Sequence, residues 1–308
     1  MPPGADAVVM VEHVEQVESR IRLVPGRTLR PGDNIVRAGS EAREGDRLLA
    51  AGTRLAPPHI AVAAAAGAAE LLVHKQPRVA ILATGDELVE VGNRLQPQQI
   101  RNSNSYTLAA QVLRAGGLPQ RLEIARDNLD DLLRLLEQAR ASSDLLILSG
   151  GVSAGKYDLV EQALATLGAT FHFTGVRIQP GKPAVFGTLP PRHEGSAPLP
   201  FFGLPGNPVS TMVTFLLFAG PMLRALAGET SSGPSFAQAR LAHSEAAASG
   251  ITRFLPAYLA GDWDHASVRR IPWQGSGDLA ATAQSNCFVV LPPDIALETG
   301  ASVQILLP

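Results

Sequence analysis

Residues 78–88, RVAILATGDEL, and residues 144–158, DLLILSGGVSAGKYD, decide the fold. Each opens as a short unbroken apolar run and ends in a polar turn rich in glycine. A strand that is apolar on both faces must be covered on both faces, which is the habit of parallel sheets in α/β proteins. Between and beyond the two runs lie patterns of helical period, at 103–117, 128–142 and 157–168, separated by a strand-like run at 120–126. Further strand-like runs, 171–178, 184–189 and 201–204, precede a helix that begins near Asn207. Strands alternating with amphipathic helices imply a mostly parallel sheet in a three-layer α/β domain.

Outward from this domain the pattern changes. Residues 7–56 alternate apolar and polar positions between the turn clusters PGRTLRPGD and REGDRL, as short antiparallel strands do. PPHIAVAAAAGAAE, at 57–70, reads as a helix entered at proline, and LLVHK, at 71–75, as a strand after it. After Gly228 the linker ETSSGPS leads to strand-like runs at 253–259, 287–292 and 302–308, read as a β-barrel-like domain. The expected division is a β module at 1–45, a linker segment at 46–76, the α/β domain at 77–228 and the β-barrel-like domain at 233–308.

Composition limits the function classes. Lysine and arginine total 26 against 28 acidic residues in 308, so no net basic field draws in nucleic acid or an anionic membrane. Cys287 is the only cysteine, which rules out an intrachain disulfide and a thiolate zinc cluster and fits a cytoplasmic setting. The apolar run 212–223 is interrupted by Gly220 and Pro221 and is too short to span a bilayer, so it is expected to be a buried helix. No secretory signal pattern stands at the start.

Ligands of open parallel sheets bind beyond the carboxyl ends of the strands, where four polar loops fall here. Thr84, Gly85, Asp86 and Glu87 follow the first strand; the two carboxylates suit Mg²⁺ or a positioned water, and equally a turn and the first turn of a helix. Asp127 reads as a helix N-cap residue or a site carboxylate. In Ser149–Asp158, Gly150, Gly151 and Gly155 let backbone N–H groups approach an anion, or simply make a tight turn, and Asp158 is a helix-start residue or a metal ligand. Lys182, in QPGKPAVFG, is placed to meet phosphate or an oxyanion unless it is merely solvated. Gly206, Asn207 and Ser210, in LPGNPVS, pre-shape a helix N-terminus.

TGDEL, SGGVSAGKYD, PGKP and LPGNPVS, in this order, resemble the molybdopterin molybdenumtransferase family that includes MoeA and the gephyrin E domain. GADAVVMVE near the start and QGS with NCFVVLP near the end extend the resemblance over nearly the whole chain. It implies a molybdopterin-binding type of α/β domain that inserts molybdate into adenylylated molybdopterin with release of AMP, assisted by Mg²⁺. It further implies hand-over of that substrate from a molybdopterin adenylyltransferase, and a homodimer whose site lies between the α/β domain of one subunit and the β module of the other.

Carried over by residue, the resemblance implies catalytic Glu87, Asp86, Asp158 and Lys182, with Asp86, Glu87 and Asp158 toward metal. Ligand contacts are implied at Thr84, Gly85, Asp127, Ser149, Gly150, Gly151, Ser153, Gly155, Gly181, Pro205, Gly206, Asn207, Pro208 and Ser276. Departures are visible too. Ser40 and Glu41 stand where relatives carry Gly-Glu-Asp, Gly175 and Gln179 replace lysines, with Arg177 nearby, and Pro256 replaces an arginine for which Arg253 is a substitute. Relatives also carry a longer N-terminal segment, so the chain is expected to be N-terminally truncated or to have a misassigned start. An adenylyltransferase-like activity and a non-catalytic pterin-binding scaffold are the rival readings.

Overall fold

The computed structural model describes residues 1–151, 159–248, 250–262 and 265–308. Residues 1–70 and 71–308 form two compact units. In the first, β1 (Val14–Val17) and β2 (Arg20–Leu23) make an antiparallel hairpin, and α1 (Pro57–Ala65) starts on two prolines. The expected turns are present: the side chains of Asp33 and Asp46 accept from the amides of Arg30 and Arg43 at 2.7 and 2.8 Å. The expected ladder extends no further than this hairpin. Ala63 is the one buried apolar residue of the unit, so these residues bring no core of their own to hold longer strands together. Leu71–Lys75, read from sequence as a strand, form none; Leu72 is fully exposed.

The second unit is built from β3 (Arg78–Ala83), β4 (Leu88–Val89), β5 (Ile100–Arg101), α2 (Ser103–Arg114), β6 (Leu118–Arg121), α3 (Leu129–Ser142), β7 (Leu145–Ser149) and α4 (Leu159–Thr166). There follow β8 (Thr170–Phe173), β9 (Ile178–Gln179), β10 (Val185–Leu189), β11 (Leu199–Leu204), α5 (Pro208–Thr214), a π turn at Phe215–Ala219 and α6 (Gly220–Leu226). The chain closes with β12 (Phe236–Leu241), β13 (Thr252–Gly261), β14 (Ala266–Arg270), α7 (Leu279–Thr282), β15 (Cys287–Leu291) and β16 (Ser302–Leu306).

The central sheet has the order β6-β3-β7-β11-β10-β8, with β10 antiparallel to both its neighbours and the other strands parallel. Its strands are apolar throughout because alternate residues enter different cores. Ala80, Leu82, Leu146, Leu148 and Phe201 meet α3 and α4. Val79, Ile81, Leu145, Ile147 and Phe202 meet α2 and the helix after β11. The helices start where sequence chemistry directs: Asn102 and Asn128 accept from the amides of Ser105 and Asp131 at the N-termini of α2 and α3.

Two sequence expectations shift. The run at 120–126 is paired earlier, at Leu118–Arg121, with Ala125 bridging Thr84 beyond it. The run at 171–178 is two strands: β8 stays in the central sheet, while β9 leaves it to pair with β13. Strands β12, β16, β15, β13 and β14 close on one another as a barrel, since β14 pairs with both β13 and β12.

The apolar run 212–223 belongs to a longer helical stretch, Pro208–Leu226, of 19 residues. By length and composition it matches a membrane span, unlike the shorter run read from the sequence. Its apolar residues are accounted for by packing on two sides. Phe215, Ala219 and Leu223 face the sheet, whereas Val209 and Val213 meet Phe254, Phe288 and Leu306 of the barrel. Pro221 cannot donate to the helix, and the π turn just before it takes up the mismatch, with the Gly220 amide donating to Phe215 O.

Candidate functional site

The carboxyl ends of β3 and β7 are pressed together at glycine. Thr84 is buried, and its amide donates to Ser149 O at 3.2 Å. A Cβ on Gly150, at φ +89°, would stand 2.8 Å from Thr84 O; one on Gly151, at φ +63°, would stand 2.6 Å from Thr84 Oγ1. Only glycine lets the backbone turn upward against Thr84 at these positions.

Asp86 and Glu87 sit in the turn closed by the Leu88 amide on Gly85 O, and the chain runs on into β4. They are not helix-start acids; the next helix begins at Ser103. Gly85 has φ +138°, and any Cβ there would collide with the Glu87 carboxylate, which lies folded over it. Asp127 is not the cap of α3, since Asn128 holds that position. Instead Asp127 and Asp86 clasp each other: the Asp86 amide donates to Asp127 Oδ2 at 3.4 Å, and the Asp127 amide to Asp86 Oδ1 at 3.3 Å. Two exposed carboxylates, 41 positions apart, are thereby held side by side, with one oxygen of each uncommitted among the described residues.

The path from Glu87 to α2 is itself braced. Ile100 N donates to Glu87 O at 2.9 Å, and Glu90 accepts from Tyr106 Oη at 2.9 Å and from Arg121 at 3.0 Å. The Arg121 guanidinium also lies 3.6 Å above the Tyr106 ring.

Lys182, Asn207, Ser210 and Ser276 line one cavity of about 470 Å³ with Ile178, Gly181 and Trp273. Gly181, at φ +118°, packs so closely on α5 that a Cβ would stand 2.6 Å from Thr214 Cγ2, which seats the Lys182 turn on that helix. Ser276 O accepts from the Val209 amide at 3.0 Å, tying the barrel to the start of α5. Among the described residues the Asn207 side chain makes no capping bond to α5. Pro205 is buried, while Pro208 opens α5.

The two groups of residues adjoin at the glycines, where a Cβ on Gly206 would lie 3.7 Å from Gly150 Cα. Ser149 is buried, and its hydroxyl accepts from Asn104 Nδ2 at 2.9 Å. Asn104 was not singled out by sequence reading; its only signal was its place in the first turn of α2. Ser153, Gly155 and Asp158 lie outside the described residues, as does the expected start of α4 at Tyr157. Among the described residues no three His, Cys, Asp or Glu side chains form a group fit for a metal ion.

A larger cavity, about 1160 Å³, opens at the other edge of the sheet, lined by Arg78 and Leu118 at strand starts and by Asp144 just before β7. It holds none of the loops described above, and in parallel sheets the strand carboxyl ends are the binding edge.

Three family models match the chain: a probable molybdopterin binding domain over 80–225, the MoeA N-terminal region (domain I and II) over 1–67, and the MoeA C-terminal region (domain IV) over 238–307. A molybdopterin molybdenumtransferase of Nostoc sp. is 37% identical over 314 residues, covering 99% of this chain and 70% of its own length. The chain belongs to the molybdopterin molybdenumtransferase family. Its relatives include the Bacillus subtilis molybdopterin molybdenumtransferase, 33% identical over 310 residues, covering all of this chain and 70% of that one. The crystal structure of a molybdopterin biosynthesis MoeA protein from Pyrococcus horikoshii matches with a TM-score of 0.73 and 32% identity, covering 98% of this chain and 72% of the other. Molybdopterin molybdenumtransferases are transferases of molybdenum cofactor biosynthesis, and the α/β domain with its barrel carries that family's design here.

Proposed function

We propose that this chain inserts molybdate into adenylylated molybdopterin and releases AMP. The observation that carries the reading is the junction of the clasped Asp86–Asp127 pair and the Thr84–Gly150 contact with the Lys182–Asn207–Ser276 cavity, through the Gly150–Gly206 approach. Cleaving the adenylyl linkage requires an oxygen nucleophile to add at the molybdopterin-side phosphorus while AMP departs with the bridging oxygen. Glu87 holds or positions the attacking oxygen, and Lys182 faces the charge that develops. Mg²⁺ commonly binds through one or two carboxylates plus substrate phosphates, a mode that suits the Asp86 and Asp127 oxygens not used in their mutual clasp. Bound there, it would neutralise phosphoanhydride charge.

The proposal includes a working division into an α/β catalytic domain at 77–228 and a barrel at 233–308, a cytoplasmic setting, and receipt of substrate from a molybdopterin adenylyltransferase. It also includes a homodimer. Residues 1–70 leave Val11, Ile21 and Val36 at least 72% exposed and bury only Ala63, a surface that suits coverage by another chain. Purified protein incubated with adenylylated molybdopterin, molybdate and Mg²⁺ should release AMP in proportion to cofactor formed. Absence of AMP release under these conditions refutes the transferase reading.

A further inference from the structure

We propose that Asn104 is a positioning residue that clamps the two glycine loops of the site to each other. Its Nδ2 donates to Ser149 Oγ at 2.9 Å and to the Gly206 carbonyl at 2.8 Å. One short side chain on α2 thus joins the end of β7 to the loop after β11, 102 positions away from it in sequence. The amide orientation follows from its partners: Gly206 O can only accept, so the group facing it must be the donor. Both amide protons are then used, and among the described residues Asn104 Oδ1 is buried without a partner.

The clamp acts where small errors matter. Gly150 N donates to Leu204 O at 3.3 Å, so the loops already share one backbone bond below the point that Asn104 grips. Gly150 lies against Thr84 on one side of this grip, and Asn207 with the Lys182 cavity on the other. Asn104 is also coupled to Glu87, because Asn102, the cap of α2, donates its amide to Val89 O two residues beyond that glutamate. A side chain of the same size without the donors lets the two loops drift independently. A carboxylate at this position sets acceptor against acceptor at Gly206.

The catalytic consequence rests on the proposed AMP-releasing reaction; the clamp itself does not. Amide hydrogen exchange of the full chain should therefore be compared for wild type, Asn104→Ala and Asn104→Asp, alongside AMP-release kinetics. The expected result is faster exchange in both 145–151 and 199–207, with β3 and the barrel unchanged, and a kcat lowered about 10- to 100-fold with KM changed less than about 3-fold. Ser149→Ala, which removes one arm, should accelerate exchange in 145–151 more than in 199–207. Unchanged exchange in either loop of Asn104→Ala, or acceleration spread evenly over residues 71–308, overturns the clamp. Faster exchange in both loops with wild-type turnover overturns its role in positioning. If wild type itself releases no AMP, the proposed reaction fails while the exchange comparison still decides the clamp.

Discussion

Gly150→Ala is the perturbation with the most direct structural consequence. An alanine at φ +89° enters the left-handed region, which costs about 1–2 kcal/mol for a residue with a Cβ. The new Cβ would also stand 2.8 Å from the Thr84 carbonyl oxygen, a backbone atom that cannot rotate away. Overpacking of this kind adds about 1–3 kcal/mol. Together the two effects come to about 2–5 kcal/mol, equivalent to a fall of about 5–15 °C in the midpoint of a domain of this size. If the loop shifts instead, the strain is relieved at the expense of geometry: a displacement near 1 Å lowers turnover about 100-fold. Gly206→Ala is the matched comparison, because among the described residues its Cβ meets nothing nearer than 3.7 Å and its φ lies outside the left-handed region. Thermal unfolding of both variants, paired with AMP release, tests the argument. A Gly150→Ala protein that matches wild type in both midpoint and turnover, or that is no worse than Gly206→Ala, would refute the reasoning from close approach.

Glu87→Gln keeps size and removes charge at a side chain lying over Gly85, so AMP release should fall at least about 100-fold while the unfolding midpoint barely moves; retained turnover would leave Glu87 as a turn residue only. Burial pushes the Cys287 thiol up to about 11 despite a bond that lowers it, so a thiol reagent at pH 8 should label the unfolded chain and spare the folded one. Three aspartates are held below their ordinary range in the folded chain. Asp131 accepts from the Arg126 amide and Arg134, and Asp278 from the Ala281 and Gln274 amides; for Asp144, burial works upward, but the Arg78 side chain and amide outweigh it. Depressed folded values mean their contribution is complete above the ordinary aspartate range and disappears as pH falls through the folded values. Urea midpoints should therefore hold from pH 7 to about 5 and drop below about 4, and Asp144→Asn should flatten that drop.

The elements of the α/β domain were legible because their causes are local. Runs such as VAILA and LLILS are apolar at every position, and Asn102 and Asn128 sit immediately before helical patterns, so strand, helix and cap follow from a few neighbouring residues. The loops at 84–87, 149–151, 181–182 and 205–208 were legible for the same reason, as glycine, proline and acid clusters at strand ends. Their chemistry was not. That Asp127 clasps Asp86, 41 positions earlier, and does not cap α3 is decided by that distant partner, and the freedom of Glu87 from any helix is settled by β4 and β5. The run 71–75 has strand-like composition but no neighbour to pair with, and strand pairing is a property of two segments, not one.

The sequence by itself thus determined most strands and helices of the α/β domain, where its glycine loops fall and to which family the order of motifs points. Only the tertiary structure decided that β10 runs against its neighbours, that β9 leaves the central sheet for the barrel, and that Asn104 joins Ser149 to Gly206. The division has a physical reason. Helix and strand preferences come from sterics and periodicity within a few residues. The site is instead made by hydrogen bonds and close glycine contacts between segments up to 102 positions apart, whose meeting depends on how two packed cores and a closed barrel place the ends of the strands.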